Sequence, residues 1–402
     1  MADVDFGSLA VVAAIALVAP LALGLVPSLR IPAIVLELLL GIAVGPSGLG
    51  WVEVDGPVRV MSLLGLAFLL LLAGLELEPE RWRGRLFRTA LGGFVLSLAL
   101  ALALAFVLDA AGLVGSPLLV AIMLSATSLG VVIPVLKDAG EASSPFGQLV
   151  IAAASIADVA TIVLLSLFFS GEAGGIGSRL VLLGAFTMLV AAVALAVGGA
   201  ERSLRLSRAL VRLQDTTAQI RVRAAFALLA LFVVLADRLG VEAILGAFMA
   251  GAVIKLVDRD RTMTHPRFHE KLEAAGFGIF VPFFFVTSGV QLDLGALFES
   301  SSSLARVPIF LAGLLVVRGA PALLSSRDLG RERTAAAALL QATSLGFLVV
   351  AGRIGMDLGL LSETNGAALV AAGLLSVLLF PLGALALLRP RSAAIPAAEG
   401  LE

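Results

Sequence analysis

The chain has 402 residues, of which 60% are hydrophobic and only 14% are charged, with a net charge of −1 and a mean hydropathy of +1.08. This composition excludes a soluble globular domain and indicates a polytopic membrane protein. The absence of cysteine and the presence of only two histidines exclude a disulfide scaffold, thiol catalysis and a Cys- or His-rich metal site.

Apolar segments of helical length follow one another along the whole chain. Because roughly 20 residues cross the hydrocarbon core, we predict an all-α polytopic membrane protein with 13 transmembrane helices. The predicted spans are 6–27, 32–48, 59–75, 89–111, 117–136, 147–170, 178–199, 223–238, 240–256, 275–291, 304–325, 334–353 and 365–388.

The basic residues lie mostly on one side of this topology. With the N-terminus outside, 22 of the 28 lysines and arginines fall in cytoplasmic loops. The positive-inside rule therefore predicts an outer N-terminus and a cytoplasmic C-terminus in the cell (inner or plasma) membrane. The first residues lack the basic segment of a cleaved signal, so we expect the first span to be retained. The basic loop 200–223 follows from topology and does not indicate nucleic-acid binding.

Two segments recur in the two halves of the chain. ATSLG occurs at Ala126–Gly130 and again 216 positions later at Ala342–Gly346, and Phe68–Glu78 aligns with Phe283–Asp293 at an offset of 215. Partners lie seven spans apart and so cross the membrane in opposite directions. The pattern predicts two inverted six-helix repeats, a sign of a secondary transporter. The expected divisions are 1–177 (spans 1–6), 178–222 (linker helix and basic loop) and 223–402 (spans 8–13 and a short tail).

Asp158 stands near the middle of span 6 and is the candidate ion- and proton-binding residue. A charged aspartate at the bilayer centre costs about 2.5–3.5 kcal/mol on insertion scales, so it needs a partner, a cation or a proton. Ser155, one helical turn earlier, can supply a neutral oxygen to the same site. The alternatives are a protonated structural aspartate and a serine bonded to its own helix.

Thr127 and Ser128 in span 5, and Thr343 and Ser344 in span 12, are poor helix formers within apolar segments. We predict that both spans are broken there, with Gly130 and Gly346 favouring the break, so that unwound backbone faces a cavity. The alternative is an unbroken helix in which the hydroxyls bond to their own backbone.

Arg318 in span 11 is the basic residue furthest inside a span. It is predicted either to form an ion pair with Glu37 or Glu76, or to extend to the cytoplasmic interface. Glu37 lies about a turn and a half into its span, where the interface is the alternative partner, and Glu76 lies near a span end, where solvation is the alternative.

The segments Ile31–Gly50, Phe68–Pro79, Leu124–Asp138 and Phe283–Asp293, with the span around Asp158, resemble the cation–proton antiporter superfamily. The resemblance is to the branch of bacterial sodium/proton and Kef-type potassium/proton antiporters. It implies that spans 5 and 12 are a crossed, unwound pair and that Asp158 is the essential aspartate, with Thr127 beside it. It also implies a core domain of spans 3–6 and 10–13, a scaffold domain of the remainder, and a homodimer.

The chain departs from the family at two positions. Ala157 precedes Asp158 where members carry Asn, Asp or Gln, and Thr287 stands where electrogenic members place a lysine. One carboxylate without an intramembrane lysine predicts electroneutral exchange of one proton per monovalent cation. The missing Asn or Gln leaves the choice among Na⁺, K⁺ and Li⁺ open.

The predicted function is therefore exchange of a monovalent cation, Na⁺ before K⁺, for H⁺ by alternating access at Asp158. The alternatives are a sodium-coupled organic-anion symporter and a K⁺ efflux system. About 14 residues follow the last span, so a regulator of such an efflux system is expected to be a separate subunit. The sequence shows no nucleophile–base pair and no metal-binding cluster that would indicate an enzyme. No cofactor is expected.

Overall fold

The computed structural model describes residues 6–25, 32–76, 84–169, 176–201, 216, 219–257, 267–292, 294–298 and 301–388, and these form helices and loops without a β-strand. The α-helices, numbered in chain order, are α1 (Gly7–Leu25), α2 (Ala33–Val44), α3 (Gly56–Leu75), α4 (Gly84–Ala110), α5 (Pro117–Leu124), α6 (Leu129–Asp138), α7 (Pro145–Phe169), α8 (Ile176–Glu201), α9 (Ile220–Arg238), α10 (Ala243–Val257), α11 (Arg267–Ala275), α12 (Val281–Val290), α13 (Leu294–Phe298), α14 (Ser301–Gly319), α15 (Ser326–Ala342), α16 (Gly346–Asp357) and α17 (Glu363–Leu388). A π-helical turn (Gly276–Phe280) joins α11 to α12, and a 3₁₀ segment (Ala320–Ser325) joins α14 to α15.

Within the described residues, seven helical stretches are long and apolar enough to cross a membrane. They are α1, α3, α4, α7, the run Phe268–Val290, the run Ser301–Asp357 and α17. Shorter apolar helices lie at Ala33–Val44, Pro117–Ile133, Val181–Val193 and Ala243–Leu256. Each predicted span overlaps a helix, and the exact number of thirteen crossings stays a prediction.

Some predicted features lie outside the described residues. They are Glu78 and Asp293 of the second repeated segment, residues 202–215 of the basic loop, and the tail 389–402.

Glycines bring two helix pairs into backbone contact. A Cβ on Gly41 of α2 would meet the carbonyl of Val286 on α12, and a Cβ on Gly289 would meet the carbonyl of Leu38. Gly74 of α3 and Gly251 of α10 make the same kind of approach at a second crossing. Such close backbone packing is typical of membrane helices, where dispersion and weak polar contacts replace the hydrophobic effect.

Two helices are interrupted at the repeated pentapeptide. The chain leaves helical structure between Leu124, the last residue of α5, and Leu129, the first of α6. It does so again between Ala342, which ends α15, and Gly346, which begins α16. The first break thus precedes Gly130, which lies in the first turn of α6.

Candidate functional site

The two breaks are hydrogen-bonded to each other. The Ser128 N–H donates to the Thr343 carbonyl at 2.8 Å, and Thr127 Oγ1 donates to the Gln341 carbonyl at 2.7 Å. Ser128 Oγ accepts from the N–H groups of Leu345 at 2.8 Å and Gly346 at 3.4 Å. The first break therefore satisfies backbone groups that the ends of α15 and α16 leave unpaired.

Asp158 on α7 faces a cavity of about 110 Å³ beside these breaks. The first residues of α6 and of α16 form part of its wall, and the carboxylate lies near the backbone N–H of Leu129, the first residue of α6. Two helix N-termini thus point towards the same small space, where their partial positive charge favours an ionised carboxylate. Of the predicted site residues, the cavity wall includes Thr127, Ser128, Gly130, Gly346 and Glu76.

A second, larger cavity adjoins the first. It measures about 370 Å³ and shares Glu76 and Leu129 with the cavity of Asp158. Its other charged and polar wall residues include Ser155, Gln148, Lys137, Lys255, His269 and Glu273. The structure therefore places Ser155 in this adjoining space and not in the cavity lined by Asp158.

Glu76 lies between the two cavities. The sequence indicated solvation at a span end or a pair with Arg318, whereas the structure places this half-buried carboxylate in the wall shared with Asp158. It interacts electrostatically with Asp158 on one side and with Lys137, Lys255 and Glu273 on the other. Glu76 is the C-cap residue of α3. Because it is far from Asp158 in the sequence, the sequence did not predict that the two carboxylates line one cavity.

The predicted ion pair of Arg318 with Glu37 or Glu76 is wrong, and the side chain does not extend to the interface. Arg318 is 1% exposed. Its Nε donates to Thr127 Oγ1 at 2.8 Å, one terminal nitrogen donates to Ser97 Oγ at 3.0 Å, and the other reaches the Ala153 carbonyl at 3.4 Å. The end of α14 faces α4, the first break and α7, so neutral oxygens of these elements surround the guanidinium.

Arg318 also acts on Asp158 through its charge. The two interact electrostatically, but they form no direct ion pair among the contacts of the described residues. Ser97, the partner on α4, is fully buried. No sequence pattern distinguished it from the other serines of the apolar segments.

Two further predicted residues lie apart from the cavity of Asp158. Glu37 is buried on α2, and in the part of the chain that the structure describes it has no hydrogen bond or ion pair. Thr287 is fully buried on α12, and its Oγ1 has no partner among the described residues. On α12, the residue that lines the cavity of Asp158 is Phe285 and not Thr287.

The second break differs from the first in its hydroxyl groups. Thr343 Oγ1 donates to the Leu339 carbonyl of its own helix at 3.1 Å, and Ser344 Oγ is buried without a partner in the described chain. Neither residue lines the cavity of Asp158, which on this side is bordered by Leu345 and Gly346.

A third cavity lies at the opposite end of the run from α11 to α12. It measures about 410 Å³, and its wall includes Ser288, Gln291, Arg353, Asp357 and Glu363. His269 and Glu273 of the second cavity are at the start of that run, and Ser288 and Gln291 are at its end. The two larger cavities therefore lie at opposite ends of the run from α11 to α12.

Comparisons with known proteins agree with this fold. YjbQ of Bacillus subtilis (strain 168), whose name assigns it to the Na(+)/H(+) antiporters, is 31% identical over 397 residues, or 95% of this chain. The chain spans 63% of the length of that relative. The Na(+)/H(+)-K(+) antiporter GerN of Bacillus cereus is 25% identical over 87% of this chain and 88% of its own length.

A solved structure and a family model complete the comparison. The sodium proton antiporter MjNhaP1 from Methanocaldococcus jannaschii superposes with a TM-score of 0.64 at 17% identity, over 95% of this chain and 98% of that one. The family model described as "Sodium/hydrogen exchanger, transmembrane" matches residues 13–389. The chain is therefore a multi-pass membrane protein that belongs to the sodium/hydrogen exchanger family.

Proposed function

We propose that the protein is a secondary active transporter that exchanges a monovalent cation for H⁺, with Asp158 as the shared binding group. The observation that carries the proposal is the position of Asp158 in a small cavity between two hydrogen-bonded helix breaks. Family membership supports ion exchange as the activity.

Proton and cation compete for the Asp158 carboxylate. Burial disfavours the charged carboxylate, so the site must be neutralised by a bound proton or a bound cation. If only these neutralised states reorient readily, the two gradients are coupled. Glu76, in the wall between the two cavities, attracts the cation towards Asp158 from the larger space.

Thr127 has a positioning role. Its hydroxyl donates to the Gln341 carbonyl and accepts from Arg318, so its proton and one lone pair are already used. Ser128 Oγ accepts from the N–H groups of Leu345 and Gly346 at the N-terminus of α16, so both of its lone pairs are used. We therefore assign the predicted ion ligation to Asp158 and Glu76, with Thr127 and Ser128 holding the crossing in shape.

We further propose a stoichiometry of one proton per cation. Among the described residues, the cavity wall holds two carboxylates, Asp158 and Glu76, and no lysine. In this proposal only Asp158 exchanges its proton, and Glu76 keeps its charge. Lys137 and Lys255 border the adjoining cavity, where they stand opposite Glu76 and Glu273. Exchange is electroneutral if Lys137, Lys255, Glu76 and Glu273 keep their charges throughout the transport cycle.

The proposed topology has an outer N-terminus and a cytoplasmic C-terminus in the cell membrane. Inverted repeats would then relate the two breaks, and a core of spans 3–6 and 10–13 would move against the remaining spans in a homodimer. The cavity with Lys137, Lys255 and His269 faces the cytoplasm in this arrangement. Cavities at opposite ends of α11–α12 support alternating access.

K⁺ is the second candidate cation, because the name of the relative GerN includes both Na(+) and K(+). A K⁺ efflux system with a separate regulatory subunit belongs to the same proposal. A sodium-coupled organic-anion carrier fits less well, since pockets for such ligands measure roughly 300–1,000 Å³ and the cavity at Asp158 measures about 110 Å³.

The test is exchange in proteoliposomes. The wild type and Asp158→Asn are reconstituted in parallel, and a pH dye reports proton movement after Na⁺, K⁺, Li⁺ or choline is added. The wild type should move protons with at least one of the three inorganic cations and not with choline. Exchange that persists in a folded Asp158→Asn variant would overturn the assignment.

A further inference from the structure

Ser376 of α17 fastens the second break. Its side chain is fully buried, and its Oγ accepts a hydrogen bond from the Ser344 N–H at 3.0 Å. The hydroxyl proton lies between two carbonyls, those of Ser344 at 3.0 Å and Gly373 at 2.7 Å. One side chain therefore holds both backbone polar groups of Ser344, a residue outside any helix.

In the part of the chain that the structure describes, no side-chain hydroxyl holds both backbone polar groups of a residue in the first break. At the repeat offset of 216, Ser376 corresponds to Ala160 (376 − 216 = 160) on α7, which cannot hydrogen-bond through its side chain. There the helix presents Asp158 to the backbone of Leu129 instead. The two halves of the chain thus differ at this position: the carboxyl group of Asp158 faces the first break, and the neutral hydroxyl of Ser376 binds the second.

The backbone segment that Ser376 binds is directly followed by residues of the cavity wall. Leu345 and Gly346 follow Ser344, and both line the cavity of Asp158. Their N–H groups donate to Ser128 Oγ, whose own backbone bonds to Thr343. The position of the α16 N-terminus in the cavity wall is therefore set from one side by Ser376 and from the other by Ser128.

We propose that Ser376 is a positioning residue for ion exchange, acting through Ser344 to hold the N-terminus of α16 at the cavity of Asp158. The proposal rests on the proposed function, in which that cavity binds the cation. Without Ser376 Oγ, the buried N–H of Ser344 loses its partner, and unpaired buried backbone groups are strongly disfavoured. The break then shifts to find another partner and alters the cavity wall.

The test compares Ser376→Ala with Ser166→Ala. Ser166 is also a buried serine, on the same helix as Asp158, but its hydroxyl has no partner among the described residues. We expect Ser376→Ala to raise the half-saturating cation concentration about three- to tenfold, as suits the loss of one buried hydrogen bond. The maximal rate should change by less than about twofold, and Ser166→Ala should leave both constants unchanged.

Ser376→Cys separates hydrogen bonding from volume. The thiol refills the space that Ser376→Ala leaves empty, with a sulfur larger than the oxygen it replaces, but it is only a weak donor and acceptor. If the hydrogen bonds position the break, the half-saturating concentration of this variant lies nearer to that of Ser376→Ala than to that of the wild type. A wild-type value in both folded variants would overturn the proposal.

Hydrogen–deuterium exchange supplies a readout that does not depend on transport. Peptides covering residues 343–346 should exchange faster in Ser376→Ala than in the wild type, whereas peptides covering α1, which packs on α2, α3 and α12, should be unaffected. If the wild type transports no cation, the proposed function fails, and this comparison still decides whether Ser376 holds the break. Unchanged protection from exchange at residues 343–346 would show that Ser376 does not hold the second break.

Discussion

Arg318 Nε donates to Thr127 Oγ1 at 2.8 Å, and the same hydroxyl donates to the Gln341 carbonyl at 2.7 Å. The buried guanidinium of Arg318 on α14 is thereby hydrogen-bonded to the first break. Through the same Thr127 hydroxyl it is linked to the end of α15, at the second break. The relationship explains why an arginine can be retained in a span without a carboxylate partner. Its charge is distributed over oxygens that hold the crossing together.

The two residues should be energetically coupled. Thr127→Val removes the hydroxyl at similar volume, and Arg318→Met removes the charge at similar length. Each change should lower the free energy of unfolding by about 1.5–3 kcal/mol, because hydrogen bonds to a charged group are lost. A double-mutant cycle in detergent measures the coupling. Arg353→Met, at a partly exposed arginine 3.8 Å from Asp357, is the control that should change stability little.

Additive effects of Thr127→Val and Arg318→Met would contradict this network. Equal destabilisation by Arg353→Met would show that loss of any arginine, and not the buried contact, is responsible.

Glu76→Gln should weaken cation binding from the side of the larger cavity. The carboxylate lies in the wall shared with Asp158 and, when ionised, places a negative charge on the proposed cation path. Removing that charge should raise the half-saturating cation concentration about five- to thirtyfold at an effective dielectric constant near 20. Initial exchange rates over a cation series in sidedness-controlled proteoliposomes measure this. Asp109→Asn, at an exposed carboxylate at the far end of α4, is the matched control and should have no effect.

Exchange should be insensitive to membrane potential. With one proton per cation no net charge crosses, whereas each net charge would add about 2.3 kcal/mol per 100 mV to the driving force. Valinomycin and a K⁺ gradient set the potential while Na⁺-driven proton flux is recorded. A steady-state pH gradient that follows the imposed potential would exclude the neutral stoichiometry.

The α2–α12 crossing should tolerate no side chain at Gly289. A Cβ there would meet the Leu38 carbonyl, which is backbone and cannot rotate away. Gly289→Ala should therefore lower stability by about 1–3 kcal/mol, the usual cost of overpacking. Gly278→Ala is the control, because a Cβ at Gly278 has no neighbour within 4 Å. Thermal unfolding in detergent compares the two, and equal melting temperatures would contradict the close approach.

The sequence predicted the elements of the fold better than the contacts among side chains. Apolar length and the repeated ATSLG were enough to predict the helices and the positions of the breaks, because both are local properties of the chain. Asp158 stood out since a carboxylate in the middle of an apolar span needs a chemical reason.

The partners of the polar groups could not be predicted. Arg318 was expected beside Glu37 or Glu76, on the simple ground of opposite charge, but it bonds to Thr127, Ser97 and Ala153. Which of many serines and carboxylates meets a given side chain depends on how distant helices pack. The same reason separates Ser155 from the cavity of Asp158 and brings Glu76 to it.

The central claim is that proton and cation share Asp158, and proton release on cation binding tests it most directly. Purified protein in weakly buffered detergent is titrated with NaCl or KCl against a choline chloride blank, and the released protons are counted with a pH dye. We expect up to one proton per chain from the wild type, at a pH where the site is protonated, and none from folded Asp158→Asn. Cation binding without proton release, or equal release from both proteins, would contradict the account.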